Sequence, residues 1–238
     1  MPSQSFAFKK FLIHQDKCAM KVGTDAVLLG SWVNAVNPEN MLDIGTGTGI
    51  ISLMLGQRFQ GNIDAIDIDG SAYLQALENI ENCGWGTRIR VYHTSFQDFL
   101  NSTSKKYDLI VTNPPYFTRC SKARGQERHL ARHNDLLPFC ELTSGVASIL
   151  KPEGRFCLVL PYDGLECFVA LAKKSKLYLT RLTRVKTTEE KSKTKRVLMQ
   201  FEKSPTGFSE DMLIIEKNQR HQYTEEYKNL TREFYLNF

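Results

Sequence analysis

An α/β fold with a mostly parallel sheet is what this 238-residue chain predicts, on three observations. Short apolar runs near 40–44, 63–68, 88–92, 107–112 and 154–160 alternate with helical patterns near 49–59, 71–82, 138–150 and 163–174. Parallel strands need a long crossover between them, and a helix is its usual form, so alternation implies helices on both sheet faces. Three glycines, Gly45, Gly47 and Gly49, stand between the first strand-like run and the first helical one. Beyond residue 175 the pattern changes to runs at 176–186, 194–202 and 211–215, then a helix pattern from Tyr223 to Tyr235. Those late runs are expected to close the sheet with an antiparallel hairpin, giving a mixed seven-stranded sheet flanked by helices. No repeat or linker composition divides the chain, and one core suits its length.

Composition removes several classes. No apolar run approaches the ~18 residues of a membrane-spanning helix, and the first residues lack the apolar core and small-residue site of a secretory leader. Cys18, Cys83, Cys120, Cys140, Cys157 and Cys167 are scattered without a C-x-x-C pair, so all six are expected to be reduced thiols of a cytoplasmic protein. Cys157, inside an apolar run, reads as a small hydrophobe. His129 and His133 have the spacing of a zinc-binding helix, but the glutamate of H-E-x-x-H is missing, so no metal is expected.

The glycine turn carries the first chemistry. Met41-Leu42-Asp43-Ile44-Gly45-Thr46-Gly47-Thr48-Gly49-Ile50 reads as strand, turn and helix start. Glycines let backbone approach a ligand, and a helix start offers unpaired N–H groups. A dinucleotide fingerprint wants G-x-G-x-x-G, yet Ile50 fills the third glycine's place. Asp43, directly before the turn, suits a cation better than a pyrophosphate. A positively charged ligand with a ribose fits, and S-adenosylmethionine is the candidate. Asp67 ends the next strand-like run about twenty residues on, where an acid can accept from ribose hydroxyls. Asp69 competes, but side-chain alternation favours Asp67.

Asn113-Pro114-Pro115-Tyr116, followed by Phe117, carries the second. It comes just after the run 107–112, where a parallel strand would end at a ligand crevice. Prolines offer no N–H and hold the chain extended, leaving a side-chain amide, carbonyls and an aromatic ring. Those groups suit a planar molecule with an exocyclic amine, the carbonyls accepting from its NH2 and the ring stacking on its face. Asn-Pro also starts ordinary turns, and that reading remains open here.

Taken together these motifs resemble the class I S-adenosylmethionine-dependent methyltransferases of the amino-methylating branch, with their Rossmann-like fold. More closely, the chain resembles the bacterial tRNA1(Val) (adenine-N6)-methyltransferase family. The likeness extends to the opening Phe11 to Trp32, with Lys21-Val22-Gly23-Thr24-Asp25, to the run Gly154 to Pro161, and to the tail from Tyr223 to Leu236. It implies methylation of the N6 amine of adenine 37 in the anticodon stem-loop of tRNA1(Val); the oligomeric state stays open, with a monomer slightly favoured. It assigns residues 1–35 as a segment covering cofactor and substrate, 36–175 as the cofactor-binding core and 176–238 as sheet closure. Lys21, Thr24 and Asp25 would meet the methionine end of the cofactor, and Asp43, Gly45 and Gly47 would lie beneath it. Asn113 would adjoin cofactor as well as substrate. Relatives often carry an acid where this chain has Phe96, so Ser95, the Phe96 backbone and Asp98 are its candidates for the cofactor's adenine.

Catalysis would come from Asn113, Pro114 and Tyr116, the first two accepting from the amine and the third fixing the base. No covalent intermediate is needed, which agrees with the absence of a Cys/His constellation. Charge points to nucleic acid. Between Arg181 and Arg196, seven basic residues face Glu189 and Glu190, an excess equal to the whole chain's formal net charge of +5. Arg119, Lys122, Arg124, Arg128 and Arg132 form a second basic stretch after Tyr116. Both suit a phosphate backbone passing a pocket, or else solvated loops. Tyr116, Phe117, Arg119, Arg128, Arg132, Lys193 and Lys195 are therefore the candidate substrate contacts. Other readings are a release-factor glutamine methyltransferase, a guanine-N2 rRNA methyltransferase, or a non-catalytic RNA- or cofactor-binding module. The first usually carries an N-terminal helical domain, whereas only about 40 residues precede the turn here.

Overall fold

A computed structural model describes residues 4–18, 20–114, 137–190, 193–205 and 207–238. It opens with an antiparallel hairpin, β1 (Ser5–Ala7) and β2 (Leu12–His14), then α1 (Thr24–Trp32). The alternating region supplies β3 (Asn40–Ile44), α2 (Ile50–Arg58), β4 (Asn62–Asp67), α3 (Gly70–Glu81), β5 (Ile89–His93), α4 (Phe96–Ser102) and β6 (Tyr107–Thr112). There follow α5 (Phe139–Ile149), β7 (Leu150–Pro161), α6 (Leu165–Lys174), β8 (Tyr178–Thr188), β9 (Arg196–Glu202), β10 (Ser209–Glu216) and α7 (Glu225–Thr231).

The large sheet runs β10-β8-β9-β7-β6-β3-β4-β5, with every pairing parallel except those of β9 to β7 and to β8. It has eight strands where seven were expected. The run at 211–215 belongs to β10, which lies parallel beside β8 with Leu213 opposite Val185 and so extends the sheet past its hairpin. Alternate residues of the central strands enter two cores. Met41, Ile63, Leu109 and Val159 face α1, α2 and α7, while Leu42, Ile66, Ile110 and Leu158 face α5 and α6. That period of two is what a sheet covered on both faces requires.

Two helices and the opening hairpin were not expected from sequence. In α1 every residue from Ala26 to Trp32 is buried, so no polar stripe reveals the helical period. In α4 the seven-residue length leaves little pattern, although its Ser95 cap, bonded to the Asp98 N–H, is a start signal in the sequence. The cysteine expectation is also corrected. Cys18, Cys83, Cys140 and Cys157 are free, whereas Cys167 is disulfide-bonded. A disulfide depends on Cα atoms lying within about 7 Å, which sequence spacing does not disclose.

The chain order positions a crevice. From β3 it steps to β4 and β5 on one side, then crosses to β6 on the other. Loops leaving the carboxyl ends of β3 and β6 therefore part in opposite directions, the usual place for a ligand in such sheets. Thr112 Oγ1 donates to the Ile44 carbonyl at 2.8 Å, fixing those two ends side by side. Among the described residues no helix is long and apolar enough to cross a membrane.

Candidate active site

Beyond Ile44 the chain turns through Gly45, Gly47 and Gly49 at φ values of 71°, 57° and 81°. L side chains are strained in that left-handed region. The N–H groups of Gly45 and Thr46 both donate to the Ile66 carbonyl, pinning the turn across the end of β4. A Cβ on Gly45 or Gly47 would meet no atom within 4 Å, whereas one on Gly49 would touch Ala76 of α3 at 3.4 Å. Two glycines thus face open space, and the third serves the packing of the turn on α3.

Asp43 lies beneath this turn, fully buried. Its Oδ2 accepts from Thr46 Oγ1 at 2.7 Å and Ser52 Oγ at 2.8 Å, while its Oδ1 has no hydrogen-bond partner. Burial, against the pull of those two hydroxyls and with some repulsion from Asp67, pushes its carboxyl up to about 6. Sequence reasoning singled out Asp43 but missed Thr46 and Ser52, the polar residues that hold it.

Asp67 ends β4 and reaches back to the turn. Its Oδ2 accepts from the Gly47 N–H at 2.8 Å and its Oδ1 from the Asp69 N–H at 2.9 Å. Each carboxylate oxygen has spare lone pairs for further donors. Burial raises its pKa above the ordinary value. Asp69 is occupied differently, capping α3 through the Ala72 N–H at 2.7 Å.

Asn113 and Pro114 follow β6 directly, level with the start of the glycine turn because Thr112 stands opposite Ile44. Asn113 Oδ1 is buried and has no hydrogen-bond partner among the described residues. Leaving a buried amide oxygen unsatisfied costs about 1–3 kcal/mol, so such an atom calls for an explanation. The structure therefore brings Asp43, Gly45, Gly47, Asp67, Asn113 and Pro114 to one edge of the sheet. Tyr116, Phe117, Arg119, Arg128 and Arg132 lie outside the described residues, as do Lys122, Arg124, His129 and His133.

The opening segment reaches the same turn. Asn79 of α3 donates to the carbonyls of His14 and Thr48 at 2.8 Å each, and accepts from the His14 N–H. Gln75 accepts from the Lys17 N–H at 2.8 Å. Lys21 is turned back on its own loop, donating to the carbonyls of Gln15 and Cys18. Thr24 is exposed at the first turn of α1, and Asp25 forms an ion pair with Arg196 of β9 at 2.8 Å. Asn79 and Gln75, buried polar residues four apart on one helix face, went unread in the sequence.

The remaining expectations fare differently. Ser95 and Asp98 are engaged with each other, Ser95 Oγ donating to Asp98 Oδ2 at 2.6 Å and accepting from the Asp98 N–H at 3.0 Å. The Phe96 ring is buried in the core against α5, close to Gly145. Lys193 and Lys195 are exposed on the turn between β8 and β9. Because β8 runs parallel to the central strands, that turn lies at their carboxyl edge, where the crevice opens. The arginines of the same basic run are internally engaged. Arg181 packs over Trp32 with its guanidinium carbon 4.2 Å from the ring centre, Arg184 pairs with Glu210, and Arg196 pairs with Asp25. Burial pushes the Cys18 thiol up to about 11 and the Cys157 thiol up to about 12, away from the nucleophilic thiolate.

Comparison with known proteins adds identity to this geometry. The profile of the methyltransferase small domain family matches residues 18–162. A protein of Phocaeicola vulgatus described as a tRNA1(Val) (adenine(37)-N6)-methyltransferase is 47% identical over 238 residues, covering 100% of both chains. One of Flavobacterium psychrophilum with the same description is 46% identical, covering 97% of this chain and 99% of its own. Among solved structures, a predicted O-methyltransferase of Agrobacterium tumefaciens superposes with a TM-score of 0.70 at 15% identity, over 88% of this chain and 96% of that one. At that identity the likeness concerns the fold alone. A Rossmann-like sheet with the glycine turn and Asn113-Pro114 at its switch point, and full-length relatives of one description, lead to one placement: the chain belongs to the methyltransferase small domain family, in its tRNA1(Val) (adenine(37)-N6)-methyltransferase group.

Proposed function

We propose that this protein transfers a methyl group from S-adenosylmethionine to the N6 amine of adenine 37 in the anticodon loop of tRNA1(Val). The observation that carries the chemistry is the buried, unpartnered Oδ1 of Asn113 beside an open glycine turn. The described relatives supply the substrate.

The residues present fit the cofactor. Open space over Gly45 and Gly47 leaves room for a ligand close to the backbone, and the unpartnered Asp43 Oδ1 matches a cationic one. Asp43, Gly45, Gly47 and Asp67 would hold it, with Asp67 accepting from the ribose. Lys21, Thr24 and Asp25 would close over one end, and Ser95, Phe96 and Asp98 would border the other, the Phe96 backbone rather than its packed ring facing the ligand. When bound, S-adenosylmethionine supplies an electrophilic methyl carbon on a sulfonium.

Asn113 and Pro114 act on the acceptor. The adenine amine is a weak nucleophile because its lone pair is delocalised into the ring. Accepting its two N–H bonds on the Asn113 oxygen and the Pro114 carbonyl favours a pyramidal nitrogen and stabilises the charge that develops on it, the reverse of an oxyanion hole. Tyr116 would stack on the base and set its angle of attack, so positioning contributes a large share. An anticodon-loop base leaves its stack at lower cost than one in a duplex. Cytoplasm is the working compartment on this reading, where the tRNA is found.

Purified protein with S-adenosylmethionine and tRNA1(Val) transcripts bearing adenine, inosine or guanine at position 37 tests the proposal. Transfer to the adenine transcript alone is expected. Transfer to guanine, or none to any of the three, would overturn the adenine-N6 reading. Nucleosides from tRNA of a strain lacking the protein should also lose N6-methyladenosine.

A further inference from the structure

We infer that Tyr162, braced by Arg184, is a stacking platform for a nucleotide flanking the reacting base, with Lys193 and Lys195 meeting its phosphates. The inference rests on the RNA substrate proposed above. Strand β7 pairs with β6 only as far as Leu158 opposite Thr112, but continues with β9 through Pro161 opposite Arg196. It overshoots β6 and carries Tyr162 about 10 Å beyond the level of Asn113, at about 3.3 Å per residue for three residues. That is the distance of a neighbouring nucleotide, not of the target.

Folding does not account for a tyrosine there. Its side chain belongs to neither core, and the residue is 39% exposed. Its N–H donates to the Lys195 carbonyl at 3.2 Å, joining it to the lysine-bearing turn. Arg184 holds the ring from one side, with its guanidinium carbon 5.2 Å from the ring centre and Nη1 donating to the phenol oxygen at 2.8 Å. Because Arg184 also pairs with Glu210, it is a brace and not a free phosphate ligand. Lys193 and Lys195 form no ion pair among the described residues. Glu189, Glu190 and Asp163 lie nearby in sequence and weaken the field, so the ring carries the larger share. An exposed ring held rigid beside cations, at the edge where the crevice opens, is the arrangement that stacks single-stranded bases with little sequence preference.

The test uses the full chain, an anticodon stem-loop RNA and its analogue abasic at the nucleotide flanking adenine 37. Tyr162→Ala should raise KM for the intact RNA about tenfold, within the range for loss of one stacked base, with kcat and S-adenosylmethionine affinity within about twofold. Tyr162→Trp should restore KM, because ring area and not the hydroxyl does the stacking. On the abasic RNA, wild type and Tyr162→Ala should converge. An unchanged KM in Tyr162→Ala, or an equal tenfold gap on the abasic RNA, overturns the platform. Should wild type methylate neither RNA, the functional reading fails, and fluorescence anisotropy then decides alone: a tenfold weaker Kd for Tyr162→Ala supports the platform, and equal Kd values refute it.

Discussion

Asp43 and Asp64 are both buried carboxylates on adjacent parallel strands, one residue apart in register and opposite in their condition. Asp64 is closed. Its Oδ2 accepts from Lys105 Nζ and the Tyr107 phenol at 2.8 Å each, and its Oδ1 from Tyr92 at 3.4 Å. Burial and the neighbouring Asp64 together hold the Tyr107 phenol above its ordinary pKa, so it stays a donor. Asp43 is open, with two hydroxyls on one oxygen and, among the described residues, nothing on the other and no cation paired with it. The difference separates structure from site: a satisfied buried charge has its partners already, whereas an unsatisfied one costs stability until a ligand meets it.

The comparison breaks first at Asn113, the other unpartnered atom of the crevice. Asn113→Ala should lower methyl transfer about 100- to 1000-fold, the usual effect of removing one positioned charge-stabilising group, with melting temperature near wild type. Single-turnover assays decide it, and unimpaired transfer would remove the mechanism. Next comes the closed cluster. Asp64→Ala should cost about 2–3 kcal/mol in urea unfolding at pH 7, less than a fully buried pair because the Lys105 side chain is 34% exposed. A cost under about 0.5 kcal/mol would mean that the cluster contributes no more than a surface pair.

Asp43→Asn should act in the opposite direction. The folded carboxyl titrates at about 6 against an ordinary 3.8. Between those values the folded chain retains a proton that the unfolded chain has lost, so stability falls as pH rises through the window. The amide variant removes that loss, gaining about 1–3 kcal/mol at pH 8 and almost nothing at pH 4. S-adenosylmethionine affinity, measured by calorimetry, should fall in the same variant. A variant less stable than wild type at pH 8 would show that the open oxygen is not a stored cost. The smallest effect is expected at Gly47→Ala, about 1–2 kcal/mol for an L residue at φ 57°, with weaker cofactor binding because the added Cβ enters open space.

Much of the frame was legible before the fold. Strand-helix alternation, the glycine turn and Asn113-Pro114 at a strand end are local patterns, and each was found where its sequence put it. The basic run from Arg181 to Arg196 was legible only as a sum of charge. Trp32, Glu210 and Asp25, which engage its arginines, come from remote parts of the chain. Ser95 and Asp98 read in the sequence as candidate ligand groups, yet an S-x-x-D spacing at a helix start also describes the cap that they form. The eighth strand was visible as a run of residues, but its place beside β8 was not.

By itself the sequence determined the strand-helix alternation of the central region, the glycine turn and the chemical types present at its strand ends, because these depend on residues a few positions apart. Only the tertiary structure decided which polar atoms are satisfied. Asp64 finds Tyr107 at a separation of 43 residues and Asp25 finds Arg196 at 171, while the free oxygens of Asp43 and Asn113 find none. Hydrogen bonding is settled by distances of about 3 Å in space, and separation along the chain does not encode them.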